Sequence, residues 1–184
     1  MKRQNTGDRH SGIPRQGVAQ VRLPDWEALP DIGLYMDQVI TLMERTFAPF
    51  LPGAEITKSM VNNYVKVELI PRPIGKKYDR EHLALLLVIG VLKQALSMES
   101  IAQVLRALCA GGVREGYTRF AEEFGALDRA LSQGRVELSL EGSTPDEHAL
   151  HAAVMAAVCT ISANRLIAQT RQTGMMPAPL PAKG

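Results

Sequence analysis

Residues 57–108 read TKSMVNNYVKVELIPRPIGKKYDREHLALLLVIGVLKQALSMESIAQVLRAL, and the order of elements in this stretch decides the fold. On a wheel of about 100° per residue, Met60, Val61, Tyr64, Val65 and Val67 fall on one half of a helix beginning at Thr57. Lys58, Ser59, Asn62, Asn63 and Lys66 fall on the other. One side packs, and the other offers donors, acceptors and positive charge. Thr57 suits the N-cap, because its hydroxyl can accept a hydrogen bond from a first-turn amide. The helix should end near Leu69, since Pro71 disfavours helical geometry at Ile70 and Pro73 extends the restriction through Arg72.

The stretch that follows, Pro71-Arg72-Pro73-Ile74-Gly75-Lys76-Lys77-Tyr78, suits a tight basic wing. Between residues 58 and 80, Lys58, Lys66, Arg72, Lys76, Lys77 and Arg80 stand against Glu68 and Asp79, a net charge of +4 that attracts phosphate. Asp79 then caps a helix to about Leu96, and Ser97 caps another carrying Ile101, Val104, Leu105 and Leu108. Helix, basic turn and two further helices follow in the order that a winged helix-turn-helix needs.

The stretch resembles the MerR type of bacterial regulator. The matching residues are Leu69-Ile70-Pro71, Lys76-Lys77-Tyr78, Asp79-Arg80-Glu81-His82-Leu83 and Leu96-Ser97-Met98-Glu99-Ser100-Ile101. Asn62-Asn63-Tyr64 stands where those proteins carry Arg-Tyr-Tyr, and Glu68 where they favour glycine. The chain also resembles a bacterial family known only as a domain of unknown function. Leu23-Pro24-Asp25-Trp26, residues 29–39 and residues 57–66 carry that likeness over roughly the first two thirds of the sequence. Together the resemblances imply a mainly α fold: a MerR-like winged helix-turn-helix followed by a C-terminal helical region.

The organisation that follows is a basic leader at 1–22, a DNA-binding domain at 23–110, a helical and dimerising region at 111–174, and a tail at 175–184. The leader carries five basic residues and one acid, and reads as a flexible arm. Trp26, between two prolines, is expected as a packing anchor. A first helix is expected over about Leu34 to Phe47, with Tyr35, Val39, Leu42, Met43 and Phe47 at helical spacing. The connection from Ala48 to Ile56 is longer than the usual turn of 3 to 4 residues.

After Gly111-Gly112, a helix from Val113 to Leu131 carries Tyr117, Phe120, Phe124 and Leu127 as a core stripe. Gly134 to Ser143 is a connector in which Val136, Leu138 and Leu140 alternate as a short strand does. The last helix opens on a capping box of Thr144, Pro145 and Glu147 and stops at Gly174. Between Ala152 and Ile161 it is apolar on every side, so burial all round is expected, with a symmetric homodimer providing the cover.

Composition narrows the function. With 184 residues, 46% of them hydrophobic, the chain can bury a core. Residues 114–157 carry four arginines against eight acids, which removes that region from a DNA surface. Cys109 and Cys159 lack metal-ligand spacing and are expected as buried reduced thiols in a cytoplasmic protein. The apolar runs Leu83–Val91 and Ala152–Ile161 fall short of the ~20 residues of a membrane span, so no membrane partner is expected.

No nucleophile elbow or paired carboxylates stand out, and His10 in the leader is an improbable base, so an enzyme is not expected. No cofactor is expected either. His148 and His151 at i, i+3 lack further ligands for a metal. The expected partner is duplex DNA, bound by Lys58, Ser59, Asn62, Asn63, Tyr64, Lys66, Arg72, Lys76, Lys77 and Tyr78. The alternative is a winged helix turned to protein interaction. Whether a small effector binds is not legible in the residues.

Overall fold

The apolar spacings fold as six α-helices in a computed structural model that describes residues 21–51, 53–135 and 144–172. After a 3₁₀ turn at Trp26–Ala28 come α1 (Met36–Phe47), α2 (Lys58–Lys66), α3 (Arg80–Leu92), α4 (Met98–Leu108), α5 (Val113–Ser132) and α6 (Pro145–Gln172). Among the described residues there is no strand, only isolated antiparallel bridges between Leu34 and Tyr78 and between Ile74 and Lys77. The architecture is mainly α. The expected arm before residue 21, His10, the strand at Val136, Leu138 and Leu140, the stop at Gly174 and the tail at 175–184 lie outside the described residues.

α3 is the axis of the core, and every residue from His82 to Leu92 is buried. Its low polarity makes it a helix that must be covered on all sides. α1, α5 and α6 cover it, and α4 packs against α5 and α6. One hydrophobic core runs from Val21 to Ile161. Gly90 makes room for α1: a Cβ there would lie 2.4 Å from Phe47 Cζ. Phe47, Phe50 and Phe124 form an aromatic chain with centroid spacings of 5.7 and 5.8 Å. The long connection after α1 is pinned by buried Phe50, Leu51 and Ile56.

Several boundaries differ from the sequence expectation. α1 starts at Met36 rather than Leu34, because the backbone of Leu34 exchanges two hydrogen bonds of 2.8 Å with Tyr78. α3 ends at Leu92, and residues 93–96 continue as turns, with the Leu96 N–H still donating to the Leu92 carbonyl. The capping box of α6 forms as expected: the Thr144 N–H donates to Glu147 Oε2 at 2.7 Å, and the Glu147 N–H to Thr144 Oγ1 at 3.3 Å. The Thr144 N–H and hydroxyl, both donating to its carboxylate, hold Glu147 below its usual range.

α6 is not buried all round within one chain. Leu150, Val154, Ala157, Val158 and Ile161 are buried, whereas Ala152 and Cys159 are exposed. The reading of its apolar run as too short for a membrane is also corrected: Pro145–Thr170 is long and apolar enough to cross one by length and composition, because alanines extend the run between its larger residues. One face of it is buried against the other helices. Cys159, expected buried, is exposed because it lies opposite the buried Val154, Ala157 and Ile161 on α6, and Cys109 is half-buried; both are free thiols.

The segment before α1 is strapped onto the bundle. The Tyr117 hydroxyl donates to the Pro24 carbonyl at 2.6 Å, and burial, helped by Asp25, pushes its pKa well up. Trp26 is half-buried at 6.1 Å from the Tyr117 ring, as expected of a packing anchor. Arg80 lies over its ring at 5.9 Å.

Candidate nucleic-acid interface

α2 starts where a hydroxyl can cap it: Thr57 Oγ1 accepts from the Met60 N–H at 3.2 Å. Val61 and Tyr64 turn into the core, and Met60 and Val65 are half-buried. Lys58, Ser59, Asn62, Asn63 and Lys66 are all exposed, so the helix presents the polar face its sequence describes. Lys58 Nζ forms an exposed ion pair with Asp37 in the first turn of α1, linking the starts of the two helices at the surface.

The helix ends at Lys66 rather than near Leu69, and the cause lies before the prolines. The Leu69 N–H donates to the Tyr64 carbonyl at 2.8 Å and the Glu68 N–H to the Val65 carbonyl at 3.2 Å. This is a Schellman turn, whose C′ residue must be left-handed. Glu68 adopts φ 58°, a conformation that costs a residue with a Cβ about 1 to 2 kcal/mol. Val67, placed on the packing side by the wheel, is 51% exposed because the helix has already ended. Glu68→Gly is therefore expected to raise the unfolding free energy by roughly 0.5 to 1 kcal/mol, glycine's greater freedom in the unfolded chain offsetting part of the relief. Chemical denaturation measures it, and an unchanged or lower midpoint contradicts it.

The basic loop folds back through a two-residue turn. Lys77 N–H donates to the Ile74 carbonyl at 3.0 Å, with Gly75 at φ 58° and Lys76 at φ 63°. Both central residues are left-handed, as in a type I′ turn. Glycine occupies the first position without cost; lysine occupies the second against its preference. Gly33 lets the preceding segment approach the loop, since a Cβ there would sit 2.9 Å from Lys77 Cβ. Lys77 Nζ lies 5.4 Å from the centre of the Tyr35 ring.

The start of α1 thus gathers the site. Asp37 holds Lys58 of α2, and Tyr35, two residues earlier, carries Lys77 of the loop. Arg72, Lys76 and Lys77 are exposed. Tyr64 and Tyr78 are not at the surface: each is 4% exposed, and burial raises the pKa of both hydroxyls. Tyr64 faces the core because it shares the inner side of α2 with Val61. Tyr78 is held by the Leu34 bridge and by the edge of the His82 ring at 5.4 Å.

Below the loop, Asp79 caps α3. Asp79 Oδ1 accepts from the His82 N–H at 3.2 Å and lies 2.6 Å from His82 Nδ1. Partial burial works to raise the Asp79 pKa, yet the His82 hydrogen bonds outweigh it and hold the carboxyl below its usual range. An anionic cap suits the helix N-terminus.

Two surface residues escaped the sequence reading. Tyr35, counted in the core stripe of the first helix, precedes the helix and is 55% exposed. Ile74, at the turn, is 83% exposed. Ile74 had a signal: an isolated apolar residue directly before Gly-Lys-Lys has no periodic partner. Tyr35 had none, because it matches the helical spacing of its neighbours.

Elsewhere, His151 Nδ1 lies 2.7 Å from Glu123 Oε1, and among the described residues no group of three metal-ligating side chains assembles. No curated protein and no solved structure gives a significant match to the chain. A family model does match, over residues 24–120, a span that holds α1 to α4 and the basic loop between α2 and α3. It covers more than half of the 184 residues, and the chain belongs to that family, the domain of unknown function DUF1836.

Proposed function

We propose that the chain is a transcriptional regulator that binds duplex DNA through a MerR-like winged helix-turn-helix, with α2 as recognition helix and residues 71–78 as wing. The observation that carries this reading is Lys76. A lysine kept in the left-handed position of a tight turn, where glycine or asparagine fits better, puts a charge at the loop tip at a conformational cost. The site's other cations lie on α2 and the same loop, with Lys58 and Lys77 anchored to one end of α1.

In this arrangement Asn62 and Asn63 reach base edges in the major groove, where an asparagine engages adenine N6 and N7 together. Ser59 adds a hydroxyl beside them. Lys66, Arg72, Lys76 and Lys77 hold phosphates and fix the register. Lys58, already paired with Asp37, contributes less charge, and Tyr64 and Tyr78 support the surface from within. The chemistry is binding, with no catalytic step, and it goes with a cytoplasmic location.

A second reading, protein interaction through the same surface, is favoured by the exposed apolar side chains Ile32, Tyr35, Val67 and Ile74. Salt dependence separates the two. Lys76→Ala should weaken binding to every duplex and reduce the salt slope by about one counterion. Asn62→Ala should lose discrimination at one base pair, about 1 to 3 kcal/mol. Selection from a randomised duplex library, followed by titration across salt, measures both. No enriched motif and no salt-dependent affinity would favour the protein partner.

A further inference from the structure

Ile74, beside the turn of the basic loop, is the most exposed large apolar side chain among the described residues. The backbone pairing fixes the side on which it stands. Leu34 pairs antiparallel with Tyr78, which sets Tyr35 opposite Lys77, and Ile74 pairs with Lys77 across the turn. Side chains directly opposed in antiparallel segments share a face, and their neighbours along the chain take the other. Leu34 and Tyr78 accordingly occupy the inner, buried face, and Tyr35, Lys77 and Ile74 form one stripe on the outer face.

A lysine beside an apolar side chain can lay its methylene stem over it while the ammonium stays in water. Here the stem runs the other way. A Cβ on Gly33 would lie 2.9 Å from Lys77 Cβ and 3.2 Å from its Cδ, so the stem follows the Gly33 backbone, and Nζ continues toward the Tyr35 ring. Ile74 is left bare. It is also held in place: Pro73 fixes the backbone before it, and its carbonyl accepts from the Lys77 N–H across the left-handed Gly75 and Lys76. The exposed Arg72 and Lys76 flank it, so the bare apolar surface sits within positive charge. A loop that only held phosphates would gain nothing from that side chain.

We infer that Ile74 enters the minor groove and wedges into a base step there, while the flanking cations hold the phosphates on either side. The inference rests on the DNA reading above and adds to it a groove and a kind of step. An apolar side chain inserted in this way partly unstacks the step and bends the duplex away from it. Pyrimidine–purine steps yield most easily. A TA step also lacks the guanine amino group that would meet the side chain on the groove floor. The site chosen is thus a TA step, selected by deformability and without a hydrogen bond to a base.

Two duplexes of equal length, charge and base composition test this on the full chain. One alternates thymine and adenine along each strand; the other runs adenine on one strand and thymine on its complement, a stiff tract with no TA step. The wild type should bind the alternating duplex severalfold more tightly and make its thymines reactive to permanganate, which oxidises thymine where it is unstacked. Ile74→Ser should remove both the preference and the reactivity, with the salt slope and helical circular dichroism unchanged, since Ile74 is exposed. Ile74→Leu should keep both. Lys76→Ala should weaken binding to the two duplexes alike and keep the preference. Absence of salt-dependent affinity for either duplex would overturn the DNA reading and this inference together. Salt-dependent binding with unreactive thymines, or a preference that survives in Ile74→Ser, would overturn the wedge alone.

Discussion

Urea unfolding of Asp128→Ala is expected to show a loss of about 3 kcal/mol, the low end for a broken buried ion pair. Asp128 is 2% exposed. Its Oδ1 accepts from Arg165 Nη1 of α6 at 3.2 Å, and its Oδ2 accepts from the Val21 N–H at 3.1 Å. One carboxylate therefore ties α5 to α6 and to the segment entering the bundle. Alanine removes both bonds while Arg165, with a side chain only 12% exposed, stays where it is. The loss falls at the low end because that residual exposure lets water solvate the guanidinium. Asp128→Leu combined with Arg165→Met should recover much of it, since an apolar pair of similar volume avoids desolvating charge. A loss below about 1 kcal/mol for the alanine variant would place the pair among surface ion pairs and refute the role.

Gly116→Ala and Gly125→Ala should move stability in opposite directions within the same helix. At Gly116 a Cβ would meet the Leu108 carbonyl oxygen at 2.4 Å and its carbon at 3.0 Å. Those are backbone atoms at the end of α4, which cannot rotate away, so α4 and α5 must separate. The expected cost is about 2 to 3 kcal/mol, toward the upper part of the overpacking range. At Gly125 the same atom would meet only Arg129 Nη1, at 3.5 Å, an ordinary contact. There alanine should gain roughly 0.5 to 1 kcal/mol from helix propensity. Thermal or urea unfolding of the two variants decides it, and a shift in the same direction for both would contradict the close approach of α4 to α5.

Much of this molecule is legible in local sequence. Thr57, Asp79, Ser97 and Thr144 each cap the helix they were expected to start, because a cap depends on a side chain and an amide only three residues away. The polar face of α2 is exposed and its Val61–Tyr64 side buried, because amphipathic spacing needs no knowledge of the partner. The inward turn of Tyr78 was less legible, since a tyrosine serves a surface and a core equally well. Asp128 was not legible at all: in a stretch rich in acids it reads as one more solvated carboxylate, and only the approach of Arg165, 37 residues later, and Val21, 107 residues earlier, makes it a core residue.

The sequence by itself determined the six helices, most of their starts, the basic loop and the family. Those features rest on short-range chemistry: caps, prolines, apolar spacing and local charge. Tertiary structure decided where α1 begins, through the Leu34–Tyr78 bridge, and how closely the loop lies on the segment before α1, where Gly33 sits beside Lys77. It also decided that α6 has a buried face and an open one. A helix apolar on every side states only that its faces need cover, and which face receives it depends on helices distant in sequence, because burial belongs to the assembled surface and not to the residue.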